Sequence, residues 1–212
     1  MNRVQQRISI GVAAVLAAGL SMAGAARLDA QAGGTMAPMK PTPSMGMMSM
    51  TPKEGGKAPD FTLTAIDGTK ARLSAEEARG PVVLVVLRGW PGYQCPFCTR
   101  QFGEYLARAN DLEATGAKVL FVYPGPADGL KDHAIEFTKS APLPASYRVL
   151  LDPDYTFTNA YGLRWNETGE TAYPSTFVIG KDGVVTFSRT SHKHDDRVPV
   201  ADVLTALGRV KR

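Results

Sequence analysis

The chain has 212 residues, and its 24 Lys and Arg against 20 Asp and Glu give a formal net charge of +4. Part of that excess is Arg3 and Arg7 at the extreme N-terminus, and no basic stripe with interleaved aromatics follows, so the composition argues against a nucleic-acid binder. Only two cysteines, Cys95 and Cys98, are present.

The first stretch, MNRVQQRISIGVAAVLAAGLSMAGAA, has a basic start, an apolar run from Ile8 to Leu20, and then small residues. Ala23-Gly24-Ala25 is an A-x-A cleavage site and Leu28-Asp29-Ala30 a second option, so residues 1–30 are expected to be a secretory signal peptide. The run is short for a membrane span, and the mature protein is expected to have no stable one. An uncleaved anchor is the alternative. Export to the periplasm or beyond implies an oxidising compartment.

Residues 31–55 are Ala, Gly, Pro, Ser and Met with little else to bury, which predicts a disordered tether. Met36, Met39, Met45, Met47, Met48 and Met50 cluster there. Thioethers are soft ligands, so a copper-handling role for this tether is the alternative of a different class.

From Gly56 to Arg212 the chain reads as one domain. Phe61 and Leu63, the Asp67-Gly68 turn, then Ala71 and Leu73 predict a hairpin. Ser74 to Glu77 matches a capping box opening a short helix. PVVLVVL at Pro81 to Leu87 is a buried strand, and Pro96 to Ala114 one helix ended by Gly116. Lys118 to Tyr123 is a second buried strand, expected to break at Pro124. A helix over Leu130–Lys139, a strand at Arg148–Leu151 and a helix over Tyr155–Tyr161 follow. A hairpin turning at Lys181-Asp182-Gly183 and a last helix over Pro199–Val210 close the chain. This order predicts an α/β fold with a mixed central β-sheet flanked by helices and an N-terminal hairpin extension.

The C-x-x-C falls where a buried strand turns into a helix. The first turn of a helix offers unpaired N–H groups and the positive end of the macrodipole, and both favour a thiolate. Cys95 is therefore the expected nucleophile, and Cys98, one turn deeper, the resolving thiol. Pro96 suits the helix start because it surrenders no hydrogen bond there. A structural disulfide would close too short a loop to constrain much. A zinc site needs about four ligands, and His133, His192 and His194 stand far off in sequence. No metal or other cofactor is expected. Arg88 and Arg100 flank the dithiol and are candidates for lowering its pKa, and Trp90 and Tyr93 for a substrate lip. Surface arginine and plain loop packing explain these four equally well. His192-Lys193-His194-Asp195-Asp196 reads as a polar loop rather than a metal cluster.

KAPDFTL at Lys57–Leu63, the strand before C-x-x-C, LLDPDYTFTNAYGL at Leu150–Leu163 and YPSTFVIGKDGVV at Tyr173–Val185 resemble the thioredoxin-fold redoxins. Within them the resemblance is to the peroxiredoxin-like alkyl hydroperoxide reductase/thiol-specific antioxidant group. It implies a thioredoxin-like fold and a thiol–disulfide oxidoreductase that reduces protein disulfides or peroxides, re-reduced by an external thiol reductant or reductase partner. Thiol peroxidase as the main activity is the alternative within the class. Two departures stand out. Gly92 stands where these peroxidases carry a threonine. Pro174 stands where they carry an arginine, and there it resembles the cis-proline of thioredoxins, which presents backbone to a substrate. Gln101 likewise stands where related thiol reductases carry a glutamate. Without that arginine, slow peroxide chemistry and competent disulfide exchange are expected.

Overall fold

A computed structural model of the chain describes residues 50–139 and 141–210. The expected signal peptide, and the expected tether up to residue 49 with five of its six methionines, lie outside the described residues.

The elements are β1 (Thr62–Ala65), β2 (Lys70–Arg72), α1 (Leu73–Glu77), β3 (Val82–Val86), α2 (Pro96–Ala107), α3 (Ala109–Ala114), β4 (Lys118–Gly125), α4 (Leu130–Thr138), β5 (Tyr147–Pro153), α5 (Thr156–Ala160), β6 (Ser175–Ile179), β7 (Val185–Thr190) and α6 (Val200–Leu207). They build one seven-stranded sheet in the order β2-β1-β5-β4-β3-β6-β7. β3, β4 and β5 run parallel, while β6, β7, β1 and β2 join antiparallel. The expected mixed sheet and N-terminal hairpin are both present.

The continuous apolar runs are explained by burial on both faces. Successive side chains of a strand point to opposite sides. Val83, Val85 and Leu87 accordingly join Phe121 and Tyr123 under α2, α4 and α6, where Phe102, Tyr105, Phe137 and Val203 complete one core layer. Val82, Leu84 and Val86 face the other way, with Leu120, Val122, Leu73 of α1 and Phe157 of α5. The dithiol belongs to the first layer: Cys95 and Cys98 are each 1% exposed.

Three local expectations are corrected. No capping box forms at Ser74. Helix α1 starts one residue earlier without a side-chain cap, and Asp60, fourteen residues upstream, accepts the Ser74 N–H and hydroxyl, both at 3.0 Å. The expected single helix over 96–114 divides at Arg108, whose φ of −111° and ψ of 20° leave the helical region. Pro124 does not end β4, which pairs with β5 as far as Gly125 and Pro153. The Pro124 carbonyl points to the β3 side, where it accepts the Trp90 N–H at 2.9 Å. β3 has already ended at Val86, so the proline's missing N–H removes no ladder bond.

The domain also begins earlier than its composition suggests. Val185 of β7 accepts the Gly55 N–H and donates its own N–H to Gly56, both at 2.9 Å. The Ser188 hydroxyl donates to Pro52 O at 2.8 Å, and the Ser188 N–H to the Glu54 carboxylate at 3.2 Å. Pro52, Glu54 and Gly55, assigned to the tether by composition, thus lie along the outer edge of β7. Among the described residues no helix is long and apolar enough to cross a membrane.

Candidate active site

β3 delivers the chain to the site, and a tight loop from Arg88 to Gln94 carries it to α2. Gly89 is required there. Its φ is +70°, and a Cβ would overlap the Pro124 carbonyl. Gln94 ties the loop down by donating to His133 O at 2.8 Å and accepting from the Tyr123 hydroxyl at 2.9 Å. Cys95 is the N-cap of α2 and Pro96 its first helical residue, as the spacing predicts. Cys98 follows one turn later, and its sulfur accepts the Arg88 N–H at 3.4 Å.

The two thiols are free and electrically unlike. Cys95 is lowered to about 5 from an ordinary 9.0. The hydrogen bond from the Cys98 thiol is the main cause; it works against burial and is helped by the Cys98 backbone N–H and the charges of Arg197 and Arg88. Cys98 is pushed up, first by burial and then by the Cys95 thiolate beside it. At neutral pH these shifts make the pair one thiolate, at Cys95, and one thiol, at Cys98.

The cation at the sulfurs is Arg197, which sequence reasoning missed. Its Nη2 stands 3.6 Å from Cys98 Sγ and 3.9 Å from Cys95 Sγ. Its Nε and Nη1 are buried without any hydrogen-bond partner. Arg197 comes from the loop between β7 and α6, 102 positions from Cys95, so no local spacing announces it. The polar HKHDD run just before it sets that loop. Asp196 accepts from Arg189 at 3.2 Å, and the Lys193 N–H donates to Ser191 Oγ at 3.1 Å. His194 Nε2 lies 3.0 Å from Glu170 Oε1, and the His192 ring packs on Tyr173.

Arg88 lowers the Cys95 pKa through its charge, as expected, though less than Arg197 does. The Arg88 side chain turns away from the sulfurs into a buried fork on Glu170, with Nε–Oε2 at 2.6 Å and Nη2–Oε1 at 3.1 Å. It also donates to Gly169 O and to the Tyr93 hydroxyl, each at 2.6 Å. Burial alone would lower the Arg88 pKa, but Glu170 and Tyr93 outweigh it and the net shift is upward. Glu170 thus holds three loops together: Arg88 before the dithiol, its own, and His194 three residues from Arg197. Buried ion pairs contribute more to fixing geometry than to net stability.

The remaining expected residues sit further out. Arg100 is exposed and lies over the Phe97 ring at 5.2 Å. Trp90 stacks on His133 with centroids 3.6 Å apart, and Tyr93 is half exposed. The Pro174 expectation is corrected: no cis peptide bond occurs among the described residues. Its carbonyl accepts the Ser191 N–H at 2.8 Å and is spent inside the fold. Tertiary packing, not the presence of a proline, decides the isomer. The missing-arginine premise of slow peroxide chemistry therefore changes, since Arg197 is at the thiolate, and so does the premise of competent disulfide exchange, a free carbonyl at a cis Pro174.

Gln101 and Arg197 line a cleft of about 400 Å³ walled by Phe97 and Pro199, with Arg100, Glu104 and Asp195 also lining it. Gln101 is buried, and its Oε1 has no donor.

A family model described as Redoxin matches residues 53–207. A candidate peroxiredoxin of Mycobacterium tuberculosis is 30% identical over 144 residues, covering 66% of this chain and 85% of its own. Among solved structures, Peroxidoxin BcpB from the same organism superposes with a TM-score of 0.61 at 24% identity, over 76% of this chain and 99% of that one. A candidate thiol:disulfide interchange protein, DsbE, of Chlorobium tepidum gives 0.54 at 25% identity, over 74% and 100%. These likenesses make the fold thioredoxin-like.

Proposed function

The chain belongs to the Redoxin family as a peroxiredoxin-like thiol oxidoreductase with a C-x-x-C dithiol, and we propose that it is an exported thiol peroxidase. In this reading the Cys95 thiolate attacks a peroxide oxygen. The O–O bond breaks, Cys95 becomes a sulfenic acid, and the departing oxygen takes a proton from solvent and leaves as alcohol or water. The Cys98 thiol then condenses with the sulfenic acid, forming the disulfide and releasing water. An external thiol reductant returns the pair to the reduced state by exchange.

The observation that carries the reading is the placement of Arg197 against a thiolate that is almost wholly buried. Peroxide cleavage builds negative charge on the leaving oxygen, and a preorganised guanidinium in a dry site stabilises that charge. Burial also selects among substrates. A peroxide brings only two oxygen atoms to Cys95 and asks for little room. A protein disulfide must align its sulfurs with Cys95 Sγ, which a 1% exposed residue does not permit without local opening. Disulfide exchange remains in the scheme as the regeneration half-reaction.

Mixing the reduced protein rapidly with hydrogen peroxide, and separately with a folded protein disulfide, tests this. Oxidation by peroxide should be faster by roughly a hundredfold, the worth of one preorganised donor. Equal rates, or faster disulfide exchange, would make the protein a disulfide reductase instead.

Export rests on the basic start, apolar run and small-residue sites of residues 1–30. The mature chain should begin near Ala26 or Gln31, which intact mass of the native protein reads directly. Recovery with Met1 attached, from the cytoplasm, would remove export from the proposal.

A further inference from the structure

Among the described residues, the Arg197 side chain has only the two sulfurs as hydrogen-bond partners. Its Nη2 lies 3.9 Å from Cys95 Sγ and 3.6 Å from Cys98 Sγ, while its buried Nε and Nη1 meet no acceptor. A buried cation acts most strongly on the nearest negative charge, because the interior screens little. In the reduced protein that charge is the Cys95 thiolate. Oxidation removes it, since a sulfenic acid carries an S–OH in place of the thiolate. One partner is then left to the guanidinium, the Cys98 sulfur. That sulfur also accepts the Arg88 N–H at 3.4 Å. Residue 88 is itself held fast: its carbonyl accepts the Thr171 hydroxyl and its guanidinium is forked on Glu170.

Cys98 needs activating before it can resolve anything. Burial and the neighbouring Cys95 thiolate both push its pKa up, and a thiol is a poor nucleophile. One turn further along the same face of α2 stands Gln101, an amide that takes up no proton. We propose that Arg197 serves the two sulfurs in turn: it stabilises the Cys95 thiolate before oxidation and afterwards, with the Arg88 N–H, activates Cys98 as the nucleophile that closes the disulfide. The first step rests on the peroxidase reading; the second goes beyond it. No side chain has to move, because one nitrogen already reaches both sulfurs. In the reduced pair the Cys98 thiol gives its hydrogen bond to Cys95, so its proton already faces the sulfur that becomes oxidised. Cys98 Sγ attacks Cys95 Sγ, the S–S bond forms as the S–O bond breaks, and hydroxide departs with the Cys98 proton as water. The leaving oxygen is thus the base, and no carboxylate is required. Of the other groups around the pair, Arg88 has its guanidinium on Glu170. The Tyr123 hydroxyl, pushed up by burial, stays protonated. Cys95 and Arg197 are therefore the charges that govern Cys98, and Cys98 stays a thiol until Cys95 has been oxidised.

Cys95→Ser sets a neutral hydroxyl beside Cys98, a stand-in for the sulfenic acid. Thiolate absorbance in the far ultraviolet, followed against pH, then reads Cys98 alone. The Cys98 thiolate should appear at lower pH in Cys95→Ser than in the parent, where it is the second of two coupled steps. Adding Arg197→Met to Cys95→Ser should raise that midpoint by roughly one to three pH units. Adding Arg197→Lys, which keeps the charge, should raise it less. With both cysteines present, hydrogen peroxide followed by dimedone trapping measures the lifetime of the Cys95 sulfenic acid. Arg197→Met should lengthen that lifetime about tenfold, separately from its effect on the oxidation step, since fewer Cys98 thiolates are offset in part by their greater nucleophilicity. A Cys98 no more acidic in Cys95→Ser than in the parent overturns the proposal, as does a midpoint or a sulfenic acid lifetime that Arg197→Met leaves unchanged. If the parent forms no sulfenic acid with peroxide, the peroxidase reading falls and the proposal with it. The titration uses no peroxide, so it tells that failure from the others.

Discussion

Replacing Arg197 with methionine should slow oxidation of Cys95 by hydrogen peroxide roughly 100- to 1,000-fold, the cost of removing one preorganised charge-stabilising donor. Two losses combine. The guanidinium 3.9 Å from Cys95 Sγ no longer meets charge on the leaving oxygen. The thiolate also loses one of the charges that hold its pKa down, so less of it is ionised at a given pH. Arg197→Lys should recover only part of the rate, because an ammonium keeps the charge but not the planar fork. The fold should lose some stability at neutral pH, because the guanidinium faces a buried thiolate and removing one partner of such a pair leaves the other charge uncompensated. Urea unfolding of the variant should show lower stability than the parent at neutral pH and a smaller difference below the Cys95 pKa of about 5. A peroxide rate within a few-fold of the parent would mean that the helix terminus alone activates the site.

Cys95→Ser should abolish turnover, and Cys98→Ser should permit one oxidation and then stall. The stalled species is the Cys95 sulfenic acid, or a mixed disulfide if a thiol is present, and mass spectrometry distinguishes the two. The assignment follows from opposite shifts at neighbouring sulfurs, Cys95 down and Cys98 up. Alkylation of Cys95 against pH should show a midpoint near 5, with Cys98 unreactive through neutrality. The same shift links to stability. A thiol whose pKa falls from 9.0 to about 5 on folding contributes fully above the unfolded value. That contribution is lost as pH falls through the folded value. Cys98→Ala removes the hydrogen bond that is the main cause of the shift, so the midpoint should move upward; Cys98→Ser keeps a hydroxyl and should move it less. Finding Cys98 the more acidic thiol would reverse the roles.

What could be read from the sequence was whatever depends on neighbours along the chain. The strands β3 and β4, the two hairpins and the dithiol at a strand-to-helix junction are all local patterns of apolarity and turn chemistry. What could not be read depends on distant segments meeting. Ser74 matched a capping box, yet Asp60 reaches across to take its N–H. Pro124 resembled a strand breaker, yet its neighbour strand had already ended. Arg88 does lend its charge to Cys95, but Glu170, 82 positions away, claims its side chain, and the guanidinium at the sulfurs is Arg197. Arg197 had no signal at all beyond being a basic residue after a polar run. The recurring physical reason is that charge pairing and proline geometry are settled by tertiary partners, which a single sequence does not place.

The segment from Pro52 to Gly56 along β7 has a consequence for how copies of this protein behave at high concentration. An open strand edge is a template for another chain, and proteins blunt such edges to stay soluble. Here the long edge is already occupied by the protein's own backbone. The opposite edge, β2, is three residues long and carries Lys70 and Arg72. Neither margin of the sheet invites edge-on stacking into fibrils. Trimming the chain up to Lys57 would uncover the β7 margin, turning a blunt boundary into an adhesive one.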